Sequence, residues 1–236
     1  CYRFNGEHIL SFEDCPVDLN AVNLPSETNC LCQSRFCNYV VAPGKTIQLT
    51  EDVGSVQGKD IEIVGDDHTI SDLKCIDSCT LDDIEVDNIS GVPKKIIIKG
   101  IVKLSNIKEH EHMLTIVVTG HTNLMLEDEV ISNTRIELLD MSVLEFSASI
   151  FSDSQLHIAD TALAILYESD LVVTRSKFYF HPFPHNAFSI DSFSSLTFDD
   201  QTQLIINEFT REEVYLMYSS KGAFKGLPNV YIVTPQ

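Results

Sequence analysis

The segment with the most distinctive chemistry is residues 178–185, where aromatic rings, histidines and prolines follow one another. Pro182 and Pro184 exclude a regular central strand, because proline has no backbone N–H to donate. The sequence therefore predicts a stiff loop that presents Phe183. Rings on such a loop suit a ligand or partner, including stacking on sugars; the alternative is that Phe183 packs against the neighbouring core. The expected ligand-binding residues are Tyr179, His181, Phe183 and His185.

Three aspartate doublets could supply the two carboxylates that a glycoside hydrolase places on either side of the scissile bond. A polysaccharide lyase would instead need a basic residue and calcium, and no acidic cluster accompanies the available Arg135, Arg175 and Lys177. Aspartate also favours solvated turns. With 35 acidic residues in the chain, adjacent pairs arise readily by chance, so turns are the favoured interpretation. The doublets are Asp66-Asp67, Asp82-Asp83 and Asp199-Asp200.

A second candidate for chemistry is the run Glu-His-Glu-His at residues 109–112. In a strand, His110 and His112 would lie on one side, about 7 Å apart at roughly 3.3 Å per residue. His121 could complete a zinc or copper site. No second motif supports such a site, so a charged loop is favoured. We expect neither a metal nor another cofactor, and we expect no catalytic residue.

The cysteines are confined to the first third of the chain, and residues 80–236 contain none. This pattern is typical of a disulfide-stapled leader in a secreted or surface protein. Zinc is disfavoured because its sites usually contain paired Cys-x2-Cys units. We expect Cys75 to bridge Cys79, while the remaining connectivity stays open and the odd number leaves one cysteine over. The seven cysteines are Cys1, Cys15, Cys30, Cys32, Cys37, Cys75 and Cys79.

The elements that would position these residues are short apolar triplets that recur from Ile47 onward. Leu124 lies 20 residues before Leu144, and Ile136 lies 20 residues before Leu156. A fixed period near 20, with polar corners, is the signature of a β-solenoid. The four predicted coils contain strands at 124–126, 130–131 and 136–138; 144–146, 150–151 and 156–158; 163–165, 171–173 and 178–180; and 188–190, 196–198 and 204–206.

We therefore predict an all-β, right-handed parallel β-helix. Residues 1–45 form a cysteine-rich cap, and residues 46–236 form the solenoid body with a C-terminal capping segment from residue 207. On the third face, Glu137, His157, Tyr179 and Ile205 should form one outward row. Upstream of residue 120 the period is less regular. The alternative fold is a β-sandwich, but its longer strands and glycine-rich hairpins fit poorly with 10 glycines.

The charge balance limits the partners. The chain has 16 basic and 35 acidic residues, a net charge of −19. Nucleic acid is excluded because phosphate binding needs a basic surface, and an anionic membrane surface is disfavoured. No apolar run approaches the roughly 18 residues of a membrane span, so we expect no membrane insertion within this chain.

Cys30-Leu31-Cys32 with Cys37, followed by leucine- and isoleucine-rich short strands with Ser/Asp corners, resembles the cysteine-rich surface receptors of parasitic amoebae. The resemblance covers about residues 10–210. It implies an extracellular, non-catalytic receptor or adhesive ectodomain with a glycan or protein ligand, and a membrane span and kinase beyond Gln236. A secreted polysaccharide lyase or hydrolase is the alternative. Asn88 begins a glycosylation sequon that matters if the chain is secreted.

Overall fold

Short parallel strands make up the fold, which is an all-β solenoid. A computed structural model describes residues 17–19, 38–108, 111–159, 161–180, 188–190, 194–207, 218–219, 223–225 and 229–233. These ranges contain no helix. The strands are β1 (Val17–Leu19), β2 (Asn38–Val41), β3 (Thr46–Gln48), β4 (Val53–Val86), β5 (Ile89–Ser105), β6 (Leu114–Val118), β7 (Asn123–Glu127), β8 (Val130–Ser132), β9 (Thr134–Leu138), β10 (Val143–Ser147), β11 (Ile150–Ser152), β12 (Gln155–Ile158), β13 (Leu163–Leu166), β14 (Asp170–Thr174), β15 (Lys177–Phe180), β16 (Phe188–Ile190), β17 (Ser195–Phe198), β18 (Gln203–Asn207), β19 (Tyr218–Ser219), β20 (Ala223–Lys225) and β21 (Asn229–Val233).

The strands stack in parallel on three faces of the solenoid. Face A contains β7, β10, β13, β16 and β19; face B contains β6, β9, β12, β15, β18 and β21; face C contains β8, β11, β14, β17 and β20. Strand β5 joins two faces, since Lys95–Ile98 pairs with β6 and Ile101–Ser105 pairs with β7. The four predicted coils downstream of residue 120 are confirmed, each with one strand on every face.

The 20-residue period sets the register. Leu144 pairs with Leu124, and Leu156 pairs with Ile136. One predicted triplet is wrong in orientation: Leu144 pairs with Ala164 rather than with Leu163. Ala164 and Leu166 are therefore fully buried. Ala164 and Leu166 pair with Leu144 and Phe146, the buried residues of the preceding coil. Leu163 therefore points to the outer surface instead of the predicted core.

Upstream of residue 106 the corners are tighter than sequence patterns suggest. Strand β4 continues for 34 residues because one or two residues in left-handed conformation at a corner turn the chain without interrupting strand pairing. Asp60 (φ 52°), Asp77 (φ 58°) and Asp83 (φ 48°) are among them. Aspartate tolerates this conformation better than most residues with a side chain. These corners explain why the sequence of the upstream coils shows no clear turn-forming segments between strands.

The core is a set of columns in which each buried side chain rests on its counterpart in the next coil. Phe178 is 2% exposed and meets Phe151 at 5.5 Å between ring centroids and Phe198 at 5.8 Å, both edge to face. This arrangement ties face B to face C. Such pairs contribute about 0.5–1.5 kcal/mol beyond their area burial.

A buried hydroxyl column fixes where the face B strands begin. The backbone N–H of Thr134 donates to Ser154 Oγ at 3.0 Å, and that of Ser154 donates to Ser176 Oγ at 3.1 Å. Ser154 and Ser176 directly precede β12 and β15, and all three residues are buried. Because a buried N–H without an acceptor is costly, this column resists slippage of β9, β12 and β15, the strands that bear the candidate site.

One disulfide is present in the described residues. Cys75 and Cys79 are bonded, with their Cα atoms 6.1 Å apart, and both side chains are fully buried. The predicted local bridge is thus confirmed. The other five cysteines lie outside the described residues, as does most of the predicted cap; of it, β1 pairs with β2.

Candidate ligand-binding site on face B

The outward row predicted on the third face is present on face B. Glu137 pairs with His157, His157 with Tyr179, and Tyr179 with Ile205. Each strand places these side chains at the same position, so the row follows the solenoid axis. The solenoid therefore holds their relative positions without any loop.

Tyr179 is stacked on His157. The ring centroids are 4.1 Å apart and the planes are within 13° of parallel. His157 Nε2 lies 3.2 Å from Gln155 Oε1. An amide oxygen only accepts, so the contact is a hydrogen bond in the tautomer that carries its proton on Nε2. Stacking and hydrogen bonding together fix the orientation of the imidazole.

A small depression adjoins this pair; we call it the face B depression. It measures about 260 Å³ and is lined by Arg135, Glu137, Leu139, His157 and Ala159. These residues belong to β9, β12 and the positions just after them. Tyr179 stands on β15, on the other side of β12. The depression therefore lies on the Glu137 side of His157, and Tyr179 supports the imidazole from behind.

The polar wall of the depression is an ion pair within one strand. Arg135 Nη2 lies 2.6 Å from Glu137 Oε1, and the two side chains are 39% and 25% exposed. Arg135 Nε is buried and has no hydrogen-bond partner among the described residues. The pair presents a carboxylate acceptor beside guanidinium donors, and Leu139 and Ala159 complete the lining together with His157. Sequence reasoning considered Arg135 only as a lyase base; its place two residues before Glu137 was the signal that could have added it to the row.

The other three predicted ligand residues, His181, Phe183 and His185, lie outside the described residues. Tyr179 is therefore the only member of that predicted set whose place is known. Strand β15 ends at Phe180, one residue after Tyr179.

The aspartate doublets act as corner residues. Asp66 and Asp67 have φ of 50° and 65°. Asp83 Oδ1 accepts the backbone N–H of Ile101 at 2.7 Å. Burial alone would raise the pKa of Asp199, but hydrogen bonds from Thr202, Arg175 and Gln201 outweigh it and hold the pKa below its usual value. Asp82-Asp83 lies between faces B and A, whereas Asp199-Asp200 lies between faces C and B.

A small charge cluster surrounds Asp82. Burial raises the pKa of Asp82, and the charge of Asp83 adds to the effect. Lys99 Nζ lies 2.7 Å from Glu62 Oε1, and this hydrogen bond lowers the pKa of Glu62 although burial opposes it. Two neighbouring carboxyl groups are thus shifted in opposite directions, as acid–base pairs are.

A larger groove of about 660 Å³ lies between faces A and C. Its described lining contains no basic residue. Asp128 there accepts the backbone N–H of Ile107 at 2.7 Å, and burial raises its pKa. The described lining of the groove has hydroxyl and amide donors, but it lacks the paired cation and carboxylate of the face B depression. The carboxylates of the groove are Glu127, Asp128, Glu129, Glu168 and Asp170.

The metal candidate is not assembled in the part of the chain that the structure describes. Glu111, His112 and His121 are exposed, and no group of three or more potential metal ligands occurs among the described residues. Glu109 and His110 fall outside them. The described residues also include no helix long and apolar enough to cross a membrane.

Comparisons with known proteins identify no relative. A scan against protein-family models, a search of curated proteins and a search of solved structures each gave no significant match.

Proposed function

We propose that this chain is a non-catalytic, extracellular ligand-binding module of a cell-surface or secreted protein, and that it binds a glycan or protein through face B. The observation that carries the proposal is the preformed depression beside the His157–Tyr179 stack. Parallel pairing holds its walls in place, so little conformational entropy is lost on binding. The amoebal receptor type suggested by the sequence is the context we favour.

The extracellular location is supported by the Cys75–Cys79 disulfide, since such bonds persist in oxidising compartments. The non-catalytic function is supported by the corner roles of Asp83 and Asp199, because Oδ1 of each accepts a backbone N–H. The surplus of acidic residues favours a partner other than nucleic acid.

The test is binding of the purified chain to cells and to a glycan array. Tyr179→Ala should lose most of the binding, with an unchanged melting temperature, because His157 loses its support. Tyr167→Ala is the matched control, since Tyr167 directly follows β13, away from face B, and is 50% exposed. Equal binding by both variants and the wild type would contradict a face B site. Phe183→Ala extends the test to the predicted loop: lost binding at unchanged stability is the expected result, whereas a large drop in melting temperature would identify Phe183 as core.

The second candidate function is polysaccharide hydrolysis at the Asp82 cluster. It is favoured by the grouping of Asp82 and Glu62 around Lys99, whose Nζ lies 2.7 Å from Glu62 Oε1; the pKa shifts of the two carboxyl groups, in opposite directions, agree with this. Asp82 would act as the general acid and Glu62 as the base. Release of reducing ends from soluble polysaccharides by the wild type, abolished in Asp82→Asn, would establish this function over the non-catalytic one.

A further inference from the structure

We propose that the face B depression is a subsite for one neutral pyranose ring, with Glu137 and Arg135 bound to its hydroxyls and His157 against its face. The inference rests on the proposed function and names the ligand class for the same site.

The size of the depression suits a single ring. Its volume of about 260 Å³ is below the roughly 300–1,000 Å³ typical of pockets for drug-sized ligands. It is also open to solvent along the sheet, because it lies on the outer surface of β9 and β12. One ring fills it, and the remainder of a longer glycan continues outside.

The polar groups match the hydroxyls of a sugar. Each hydroxyl both donates and accepts, and the depression offers an acceptor at Glu137 beside donors at Arg135, held 2.6 Å apart by their ion pair. Hydrogen bonds to charged groups are roughly twice as strong as neutral ones. Two adjacent hydroxyls of a pyranose can therefore engage this pair at once, one with each side chain.

The apolar groups match the C–H surface of the ring. The depression is lined in part by Leu139, Ala159 and the imidazole of His157. Tyr179 covers the opposite face of that imidazole at 4.1 Å. Tyr179 is thus a positioning residue that acts through His157, and its ring rather than its hydroxyl is what matters.

Charge selects a neutral sugar over an acidic one. The carboxylate of Glu137 forms part of the wall, and an anionic sugar would approach it inside a chain of net charge −19. Because Arg135 is paired with Glu137, the described lining of the depression has no uncompensated cation that could attract an acidic sugar against the net charge of the chain. Uronic and sialic acids should therefore be rejected.

Saturation-transfer NMR on the full chain tests the inference with four probes: glucose, galactose, N-acetylglucosamine and glucuronate. We expect transfer to at least one neutral sugar and none to glucuronate. Glu137→Gln should weaken neutral binding by about tenfold, because a charge-assisted hydrogen bond becomes a neutral one, and should admit glucuronate. Tyr179→Phe should keep binding and Tyr179→Ala should lose it, at equal melting temperatures, which separates positioning from folding. Tyr167→Ala should match the wild type.

The outcomes separate this inference from the proposed function. Transfer to no sugar, or equal transfer to glucose and glucuronate, overturns the neutral-pyranose subsite. If Tyr179→Ala nevertheless loses cell binding, face B remains a ligand site and its partner is a protein. If no variant alters cell binding, both proposals fail.

Discussion

Gly91→Ala should destabilise the protein much more than the same change at Gly120. Both glycines have positive φ, 98° and 81°, so both variants incur the left-handed penalty of about 1–2 kcal/mol. A Cβ at Gly91 would lie 2.3 Å from the carbonyl oxygen of Cys75 on the neighbouring coil, whereas one at Gly120 meets nothing within 4 Å. Overpacking adds about 1–3 kcal/mol. The expected losses in free energy of unfolding are therefore about 1–2 kcal/mol for Gly120→Ala and roughly 2–5 kcal/mol for Gly91→Ala.

Urea unfolding followed by circular dichroism measures both losses. Asparagine at the same positions separates strain from collision, because asparagine tolerates positive φ but still has a Cβ. Gly91→Asn should remain strongly destabilised, and Gly120→Asn should approach the wild type. The result that refutes the close approach of Gly91 to Cys75 is a difference between the two alanine variants, in free energy of unfolding, of less than about 0.5 kcal/mol, the usual scatter between independent sites.

Three further predictions test other parts of the fold. Phe178→Ala should lower the free energy of unfolding by about 3–5 kcal/mol in urea, because it removes a buried ring; a loss typical of a surface site would contradict the aromatic core. Hydrogen bonds from Lys59 and Lys94 lower the pKa of Asp77 from 3.8 to about 2. The stability that Asp77 contributes is therefore complete above about pH 4 and lost toward pH 2. The difference in melting temperature between the wild type and Asp77→Asn should shrink as the pH falls through that window. A constant difference would contradict the interaction of Asp77 with Lys59 and Lys94. Asn88→Ala should lower the free energy of unfolding by about 0.5–1.5 kcal/mol, because Asn88 Nδ2 donates to a backbone carbonyl at 2.8 Å. If the substitution has no effect on the stability of the unglycosylated protein, that hydrogen bond is contradicted.

The downstream coils could be predicted from the sequence because their corners contain turn-forming residues. Serine pairs such as Ser147 and Ser149 flank short strands, and the 20-residue spacing then determines register. Once register is known, the row from Glu137 to Ile205 follows. Strand β4 could not be divided in the same way, because its corners consist of one or two left-handed residues, such as Asp77, inside a continuous strand.

The orientation of Leu163 could not be predicted from its own triplet. Residues 163–166 read Leu-Ala-Ile-Leu, so either alternating pair could face inward. Pairing with the preceding coil determines which pair is buried. Ala164 pairs with Leu144, and Leu166 pairs with Phe146. The face B depression was missed for a related reason. Its apolar lining includes two ordinary residues, Leu139 and Ala159, and only the stacking of coils brings them together.

The distribution of lysine explains how so acidic a chain can stack. Residues 88–108 contain five lysines and no acidic residue. Lys94 reaches Asp77, Lys99 reaches Glu62, and Lys103 lies between Glu85 on one side and Glu127 on the other. This basic coil therefore neutralises carboxylates on neighbouring coils in both directions. Since exposed pairs of this kind are screened by salt, they stabilise the upstream coils only modestly. They leave the negative charge concentrated downstream, where the proposed face B site lies. The lysines reduce the excess of negative charge in the upstream coils. The excess that remains downstream should make the ligand of face B uncharged.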